Sequence, residues 1–202
     1  MKALDLFCGL GGWSDGLVME GFKVLGVEIE PKIAELYKHP VLIEDVNNLD
    51  GKILRNFDLI VGSPPCRNFT QLPEKSVTKR GIKRQWKEPK NIQRGLVNIN
   101  KFFDIIARAE PKYWLMENVV GLIPYVNQAP QVVTRLSKGM RRAFWGNFPP
   151  FLVPRDFTKM TWTIGKWGKY KKWERAKIPL PVARALGKAV RNELCGAAVE
   201  EG

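Results

Sequence analysis

Short apolar runs of strand length alternate with helix-like segments through the first half of the chain. The runs Lys2–Phe7, Phe22–Glu28 and Phe57–Val61 each end in a turn rich in glycine, proline or charge. Between the first two, Trp13–Glu20 has the apolar spacing of a helix and is followed by a glycine. Strands that are apolar throughout and joined by helices are typical of buried parallel sheets. The alternation therefore predicts an α/β fold with a doubly wound, mostly parallel sheet.

Weaker patterns extend this prediction to the rest of the chain. Pro31 is well placed to begin a helix that runs to Tyr37, and Asn91–Ala109 repeats apolar residues at helical spacing. Gln128–Lys138 is predicted to be a helix, and Pro149–Lys177 to be irregular or short-stranded. Two strands and a closing helix complete the pattern: Val41–Ile43, Tyr113–Met116 and Pro181–Leu194.

Composition limits the class of protein. Neither a repeat nor a linker divides the chain, so residues 1–202 are expected to form one domain. No apolar stretch approaches the roughly 20 residues of a membrane span, and the chain starts without a signal peptide's apolar segment. A cytoplasmic location without a membrane partner is therefore expected. Three scattered cysteines, Cys8, Cys66 and Cys195, form no disulfide framework, and the single His39 leaves no zinc-ligand set, so no metal is expected.

Two segments carry the excess positive charge of a chain whose net charge is +13. Residues 67–101 contain ten Lys/Arg against two acids, residues 138–177 contain eleven against two, and the remainder sums to −4. Concentrated basic charge favours a nucleic-acid partner, because neutralised phosphates supply most nonspecific affinity. A lysine-rich solvated face is the alternative. Some of the tryptophans among these charges favour contacts to bases or sugars, and others are expected to lie in the core. These tryptophans are Trp86, Trp145, Trp162, Trp167 and Trp173.

The first strand runs into a glycine-rich turn, Asp5-Leu6-Phe7-Cys8-Gly9-Leu10-Gly11-Gly12. Such a turn lets a ligand approach the backbone and leaves helix N–H donors for an anionic or zwitterionic ligand. Glu28, at the end of the second strand, can accept hydrogen bonds from ribose hydroxyls, and Asp45 can bind an adenine amino group. A purely structural turn and a dinucleotide site are the alternatives. The spacing Gly-X-Gly-Gly does not match the dinucleotide fingerprint, so an S-adenosylmethionine site is the better interpretation.

Cys66 ends the turn Gly62-Ser63-Pro64-Pro65-Cys66, which follows the fourth predicted strand at the edge where open α/β sheets bind ligands. Cys8 and Cys195 are interpreted as small apolar side chains. Cys66 differs because it lies in a polar loop beside Arg67, and nearby positive charge increases the thiolate fraction of a nucleophile.

The carboxylate of Glu117 follows the fifth predicted strand, in the segment Trp114-Leu115-Met116-Glu117-Asn118-Val119. Apolar flanks would raise the pKa of Glu117 and let it hold or share a proton. Together, Asp5–Gly12, Pro65-Cys66 and Glu117-Asn118-Val119 resemble the cofactor, nucleophile and acid motifs of cytosine-5 DNA methyltransferases, in the family's order and approximate spacing. The helix at Asn91–Ile106 and the segment Ile178–Gly187 resemble two further family elements.

The resemblance implies a Rossmann-like S-adenosylmethionine-dependent methyltransferase fold acting on double-stranded DNA. Cys66 would add to C6 of a flipped cytosine, Glu117 would contact N3, and Asn118 would brace the backbone. The cofactor is expected against Asp5, Phe7, Gly9, Gly11, Gly12, Glu28, Ile29, Asp45, Val46, Pro64 and Leu96. The basic segment from Arg67 to Lys90 is expected to be a loop that clamps DNA, with contacts from Arg67, Lys79, Arg80, Lys83 and Arg84.

The chain departs from the family pattern at three places. Arg67 stands where the family usually has Gln after the cysteine. The family's Gln-X-Arg-X-Arg motif is replaced, in our interpretation, by Arg141-Arg142, with Arg142 as the catalytic candidate against the alternative of plain surface arginines. Only about residues 145–177 remain for DNA recognition before a closing helix at 178–195, which leaves room for a separate recognition subunit.

Two other functions stay open at this point. The same covalent chemistry could act on cytosine in RNA, because little of the chain is left for a DNA-recognition domain. A catalytically silent nucleic-acid-binding subunit is the second alternative, although intact Cys66 and Glu117 argue against it. Amino-methylating enzymes are disfavoured, since they carry an aromatic residue where Cys66 follows the two prolines.

Overall fold

A central sheet with helices on both faces organises the protein. The computed structural model describes residues 1–49, 54–70, 73–78, 81–86, 91–137, 140–153 and 171–200. The strands are β1 (Lys2–Leu6), β2 (Lys23–Glu28), β3 (Val41–Ile43), β4 (Leu59–Gly62), β5 (Pro73–Thr78), β6 (Gly81–Trp86), β7 (Tyr113–Val119), β8 (Val132–Ser137) and β9 (Met140–Asn147). The helices are α1 (Gly12–Met19), α2 (Pro31–Ala34), α3 (Ile92–Ala109), α4 (Lys171–Ala176) and α5 (Leu180–Glu200).

Among the described residues, seven strands form this sheet in the order β3-β2-β1-β4-β7-β9-β8. The first five are parallel, and β9 runs antiparallel to both β7 and β8. This arrangement confirms the predicted doubly wound, mostly parallel α/β fold. Because the carboxyl ends of parallel strands share one edge, the turns after β1, β2 and β4 meet there.

The two faces of the sheet bury separate apolar clusters. On one face α1 packs against α5, and a Cβ added at Gly16 would lie 2.4 Å from the Cβ of Ala183, so only glycine allows this contact. The buried Glu20 accepts hydrogen bonds or ion pairs from Arg184 (2.8 Å) and Arg191 (3.2 Å), which ties α5 to the end of α1. On the other face, α3 buries Ile99, Phe102 and Ile105.

Four expectations about local structure were wrong. Gln128–Lys138 is not a helix, because it contains the strand β8, where Val132 and Thr134 are half-buried and Val133 and Arg135 are exposed. That alternation and the β-branched side chains favour a strand paired with β9. The helix begun by Pro31 ends at Ala34 and continues only as a turn.

The third correction concerns the basic segment after Cys66. It was expected to be a loop, but β5 and β6 form an antiparallel hairpin within it. The fourth concerns Pro149–Lys177, which was expected to be irregular or short-stranded but contains the helix α4 at Lys171–Ala176. No helix in the part of the chain that the structure describes has the length and apolar character needed to cross a membrane.

Candidate active site

A cleft of about 560 Å³ opens at the carboxyl edge of the sheet. Its walls come from the turn after β1, the end of β2, the segment after β3, the loop after β4, α3 and the start of the C-terminal helices. Predicted site residues that line it are Asp5, Phe7, Gly9, Gly12, Glu28, Ile29, Asp45, Val46, Cys66 and Arg67.

The glycine-rich turn forms the floor of the cleft. Phe7, Gly9 and Gly11 all have positive φ angles, a conformation that favours glycine at the second and third of these positions. A Cβ at Gly12 would lie 2.4 Å from the backbone nitrogen of Ile178, so this glycine lets the C-terminal segment pack directly on the turn. The Gly9 amide donates to Glu28 Oε2 over 3.0 Å, which holds that carboxylate at the rim.

Asp5 lies beneath this turn with its carboxylate incompletely satisfied. Its Oδ2 accepts a 2.6 Å hydrogen bond from the Ser14 hydroxyl, which also contacts the Tyr37 hydroxyl at 2.5 Å. Its Oδ1 is buried and has no hydrogen-bond partner in the described part of the chain. Burial raises the pKa of Asp5 to about 7. A buried carboxylate oxygen beside a cleft fits a ligand that brings a positively charged N–H donor.

Asp45 begins the 3₁₀ segment Val46–Asn48 at the other end of the cleft. Its Oδ1 accepts from both the backbone nitrogen and the Nδ2 of Asn47, each at 2.8 Å. Ile29 is 62% exposed beside it on the cleft wall, although Val46 is buried. An exposed apolar side chain beside a fixed carboxylate suits a planar ring that carries a polar edge.

Three residues predicted to contact the cofactor do not line the cleft. Gly11 shapes the turn as the residue before α1, and Pro64 is buried. Leu96 is half-buried and packs against the apolar cluster on the α3 face. Asn98 is the α3 residue on the cleft wall, because the helix turns Leu96 toward the core.

Cys66, Glu117 and Arg142 meet where the cleft reaches the ends of β4 and β7. Arg142 Nε lies 2.6 Å from Glu117 Oε1, and both side chains are largely buried. Burial raises the pKa of the Cys66 thiol, the charge of Glu117 raises it further, and Thr70 and Arg142 oppose that rise. The cation that acts on Cys66 is thus Arg142, whereas Arg67, expected in that role, is exposed.

Glu117 is buried within β7, one residue beyond the predicted end of that strand. Burial raises its pKa, while the Arg142 guanidinium and the Ser63 hydroxyl favour the charged form. Arg142 reaches it from β9, where its Cα partner across the ladder is Val119. A carboxyl group with these opposing influences is suited to hold or share a proton.

Asn118 connects the strand of the acid to the loop of the thiol. Its Nδ2 donates to the carbonyl oxygen of Pro64 over 2.9 Å, and its Oδ1 accepts from the Val119 amide over 2.9 Å. The side chain is 1% exposed. It therefore contacts backbone groups next to Cys66 and Glu117.

The C-terminal segment supplies a wall that no motif predicted. Trp173, Lys177 and Ile178 line the cleft. Lys177 Nζ lies 2.7 Å from Asp15 Oδ2, and His39 Nε2 lies 2.9 Å from Asp15 Oδ1. Burial raises the pKa of Asp15, but Lys177 and His39 outweigh it and hold that pKa below its usual value. Sequence signals for these contacts are weak, because the partners stand far apart in the chain.

The residues predicted to bind nucleic acid are only partly visible. Arg67 lies exposed at the cleft, whereas Lys79 and Arg80 fall outside the described residues. Lys83 and Arg84 lie in β6, of which the structure describes the strand and not the side chains. Among the tryptophans, Trp145 is fully buried and donates to the Gln128 carbonyl over 2.9 Å, so it belongs to the core and does not contact bases.

Comparison with known proteins places this arrangement in one family. The model of the C-5 cytosine-specific DNA methylase family matches residues 1–138. The type II methyltransferase M1.HphI of Haemophilus parahaemolyticus is 31% identical over 134 residues, which are 60% of this chain and 33% of that protein. The type II methyltransferase M.FnuDI of Fusobacterium nucleatum is 30% identical over 162 residues, or 78% of this chain and 43% of that protein.

A solved structure shares the fold. It is described as a DNA modification methyltransferase encoded within an E. coli prophage, and it has a TM-score of 0.50, 20% identity and coverage of 72% of this chain and 46% of that one. The chain thus spans less than half of the relatives it matches. Because the family model covers more than half of the chain, this protein belongs to the C-5 cytosine-specific DNA methylases.

Proposed function

We propose that this protein transfers a methyl group from S-adenosylmethionine to C5 of a cytosine in double-stranded DNA, with Cys66 as the covalent nucleophile. The observation that carries the proposal is the Arg142–Glu117 ion pair beside Cys66 at the edge of the cleft. Thiol, proton carrier and cation are the groups this chemistry needs, and they come from three separate stretches of the chain.

The cleft fits S-adenosylmethionine by the chemistry of its donors and acceptors. The unpartnered Asp5 Oδ1 would take the amino group, Glu28 the ribose hydroxyls and Asp45 the adenine amino group. Phe7, Gly9, Gly12, Ile29 and Val46 would shape the remaining surface. When bound, this cofactor supplies an electrophilic methyl group on a sulfonium centre.

Cys66 and Glu117 would make C5 of cytosine nucleophilic. The Cys66 thiolate adds to C6, and the electron pair of the C5–C6 double bond moves toward N3, which Glu117 protonates or hydrogen bonds. Once C5 carries the methyl group, a base such as water or hydroxide takes the C5 proton, and the electron pair of that C–H bond re-forms the C5–C6 double bond. The Cys66–C6 bond breaks with its electron pair on sulfur, which restores the thiolate, and a proton held at N3 returns to Glu117. Arg142 holds Glu117 in place through these steps.

The base must leave the duplex to reach Cys66, at a cost of a few kcal/mol. We propose that Arg67 and the basic hairpin around Lys79, Arg80, Lys83 and Arg84 offset this cost by contacts to phosphates. Residues 145–177 are proposed as a reduced recognition segment, and residues 154–170 of it lie outside the described residues. A separate recognition subunit would add specificity to the same site.

Transfer of tritiated methyl from S-adenosylmethionine tests the proposal. The full chain is incubated with mixed DNA and with RNA, followed by nucleoside analysis, beside Cys66→Ser and the matched control Cys195→Ser, whose cysteine is exposed on α5. We expect 5-methylcytosine in DNA with the natural chain and Cys195→Ser but not with Cys66→Ser. Label in RNA alone would mean that the substrate is RNA, and a folded chain that labels neither nucleic acid would overturn the proposal.

A further inference from the structure

Ser63 lies between the cofactor side of the cleft and Glu117. Trp13, in the first turn of α1, donates from Nε1 to Ser63 Oγ over 3.1 Å. Ser63 is also the hydroxyl group that favours the charged form of the Glu117 carboxylate. The register of the sheet explains this proximity, because Gly62 of β4 pairs with Met116 of β7, so the next residues lie side by side. The mechanism above gives neither Trp13 nor Ser63 a role.

The chemistry of the donors sets the direction of these interactions. An indole nitrogen can only donate, whereas a hydroxyl group both donates and accepts. Because Ser63 Oγ accepts from Trp13, its own proton is available for the Glu117 carboxylate. Trp13 is held in this orientation, since it is 2% exposed and meets the Phe144 ring edge-on at 6.2 Å. Phe144 is the Cα partner of Glu117 in the ladder between β7 and β9.

We propose that Ser63 is a positioning residue for Glu117, oriented by Trp13 so that its hydroxyl proton points at the carboxylate. The inference rests on the proposed function, in which Glu117 serves cytosine N3. Trp13 and Ser63 both line the cleft, so a ligand bound there contacts the same residues that orient the acid.

The electrostatic surroundings of Glu117 make this role measurable. Arg142 faces it from β9, and the Cys66 thiol and the Ser63 hydroxyl face it from the loop after β4. Burial raises the pKa of Glu117, and Arg142 and Ser63 are the groups that lower it. Loss of a donor to a carboxylate favours the protonated form. Removal of the Ser63 hydroxyl should therefore raise the pKa of Glu117 while Arg142 remains in place.

The test is a pH titration of the Glu117 carboxyl band by infrared spectroscopy on the full chain carrying ¹³C-labelled glutamate. Glu117→Gln identifies the band. We expect Ser63→Ala to move the titration midpoint upward by about one pH unit, as the loss of one charge-assisted hydrogen bond implies. Ser63→Thr keeps the hydroxyl and should restore the midpoint. Trp13→Phe should give a smaller upward shift, whereas Trp114→Phe, which removes an indole on the α3 side, should give none.

An unchanged midpoint in Ser63→Ala, or failure of Ser63→Thr to restore it, overturns the inference. If circular dichroism shows that Ser63→Ala does not fold, the comparison of Trp13→Phe with Trp114→Phe decides the matter in the same way. Methyl transfer is measured on the same samples. If the variants show the expected shifts but the natural chain labels no nucleic acid, the inference stands and the proposed function fails. If the natural chain transfers methyl groups but no variant shifts the midpoint, the inference fails and the proposed function stands.

Discussion

Asn118 Nδ2 donates a 2.9 Å hydrogen bond to the carbonyl oxygen of Pro64, two residues before Cys66. This bond connects β7, which carries Glu117, with the loop after β4, which carries the thiol. The distance between acid and nucleophile therefore depends on a residue that touches neither the proposed substrate nor the cofactor.

Replacing this amide should impair catalysis more than cofactor binding. Asn118→Ala leaves the buried Pro64 carbonyl without its donor, which costs about 1–3 kcal/mol of unfolding free energy. We expect kcat to fall about tenfold or more while the Kd for S-adenosylmethionine changes little. Asn127→Ala, at an exposed position, is the matched control for kinetics and calorimetry. A lower affinity for the cofactor with normal kcat would contradict this role.

Neutralising Glu117 should change thiol reactivity and activity in opposite directions. The negative charge of Glu117 raises the pKa of Cys66, so Glu117→Gln should lower that pKa. Because a lower pKa means more thiolate, alkylation of Cys66 near neutral pH should become faster, by up to about tenfold.

Methyl transfer by Glu117→Gln should nevertheless be largely lost, since the amide cannot give a proton to N3. Mass spectrometry of the alkylated peptides separates Cys66 from Cys8 and Cys195. Glu193→Gln, exposed on α5, serves as the control and should leave both rates unchanged. Slower alkylation of Cys66 in Glu117→Gln would show that the carboxylate does not act on the thiol as described.

The ion pair between Lys177 and Asp15 should support cofactor binding from the far wall of the cleft. Lys177→Ala removes the 2.7 Å contact that holds the segment of Trp173 and Ile178 against α1. We expect the Kd for S-adenosylmethionine to rise about three- to tenfold by isothermal titration calorimetry, an effect on the order of 1 kcal/mol. Lys188→Ala, exposed on α5, should bind normally. Equal affinities in the two variants would show that this wall does not contribute to cofactor binding.

Asp5 should make the ligand-free protein less stable as the pH rises toward neutrality. The folded-state pKa is about 7 against an ordinary value of 3.8, so the folded state binds a proton more tightly than the unfolded state. The stabilisation linked to this proton is complete below about pH 4 and is lost as the pH rises toward 7. Its total is on the order of 4 kcal/mol.

Denaturant unfolding of the natural chain and of Asp5→Asn between pH 4 and pH 8 measures the contribution of this proton to the unfolding free energy. As the pH rises over that interval, Asp5→Asn should become more stable relative to the natural chain. Asp104→Asn, at an exposed position on α3, should follow the natural chain. Because both chains contain Asp15, their difference reports the effect of Asp5 alone. The lowered pKa of Asp15 has the opposite effect on stability, which is lost as the pH falls. A constant difference would mean that Asp5 is ionised throughout.

Local sequence patterns were enough to predict the parallel half of the fold and the candidate site residues at the edge where its strands end. Continuous apolar runs mark β1, β2, β4 and β7, because strands buried on both faces need apolar side chains at every position. The glycine-rich turn, Cys66 and Glu117 follow or end such strands, and parallel strands end at a common edge. These features are local in the chain, so they can be recognised without knowing what lies opposite.

The groups that contact those residues could be identified only from the folded structure. A strand, β8, pairs with β9 where a helix was predicted, and Trp145 is a core residue. Asn98 lines the cleft where Leu96 was expected. Contacts such as Arg142 with Glu117, Trp13 with Ser63, and Lys177 with Asp15 join residues distant in the chain. Their energies depend on burial and on separations of a few ångströms, and neither quantity exists until the sheet has assembled.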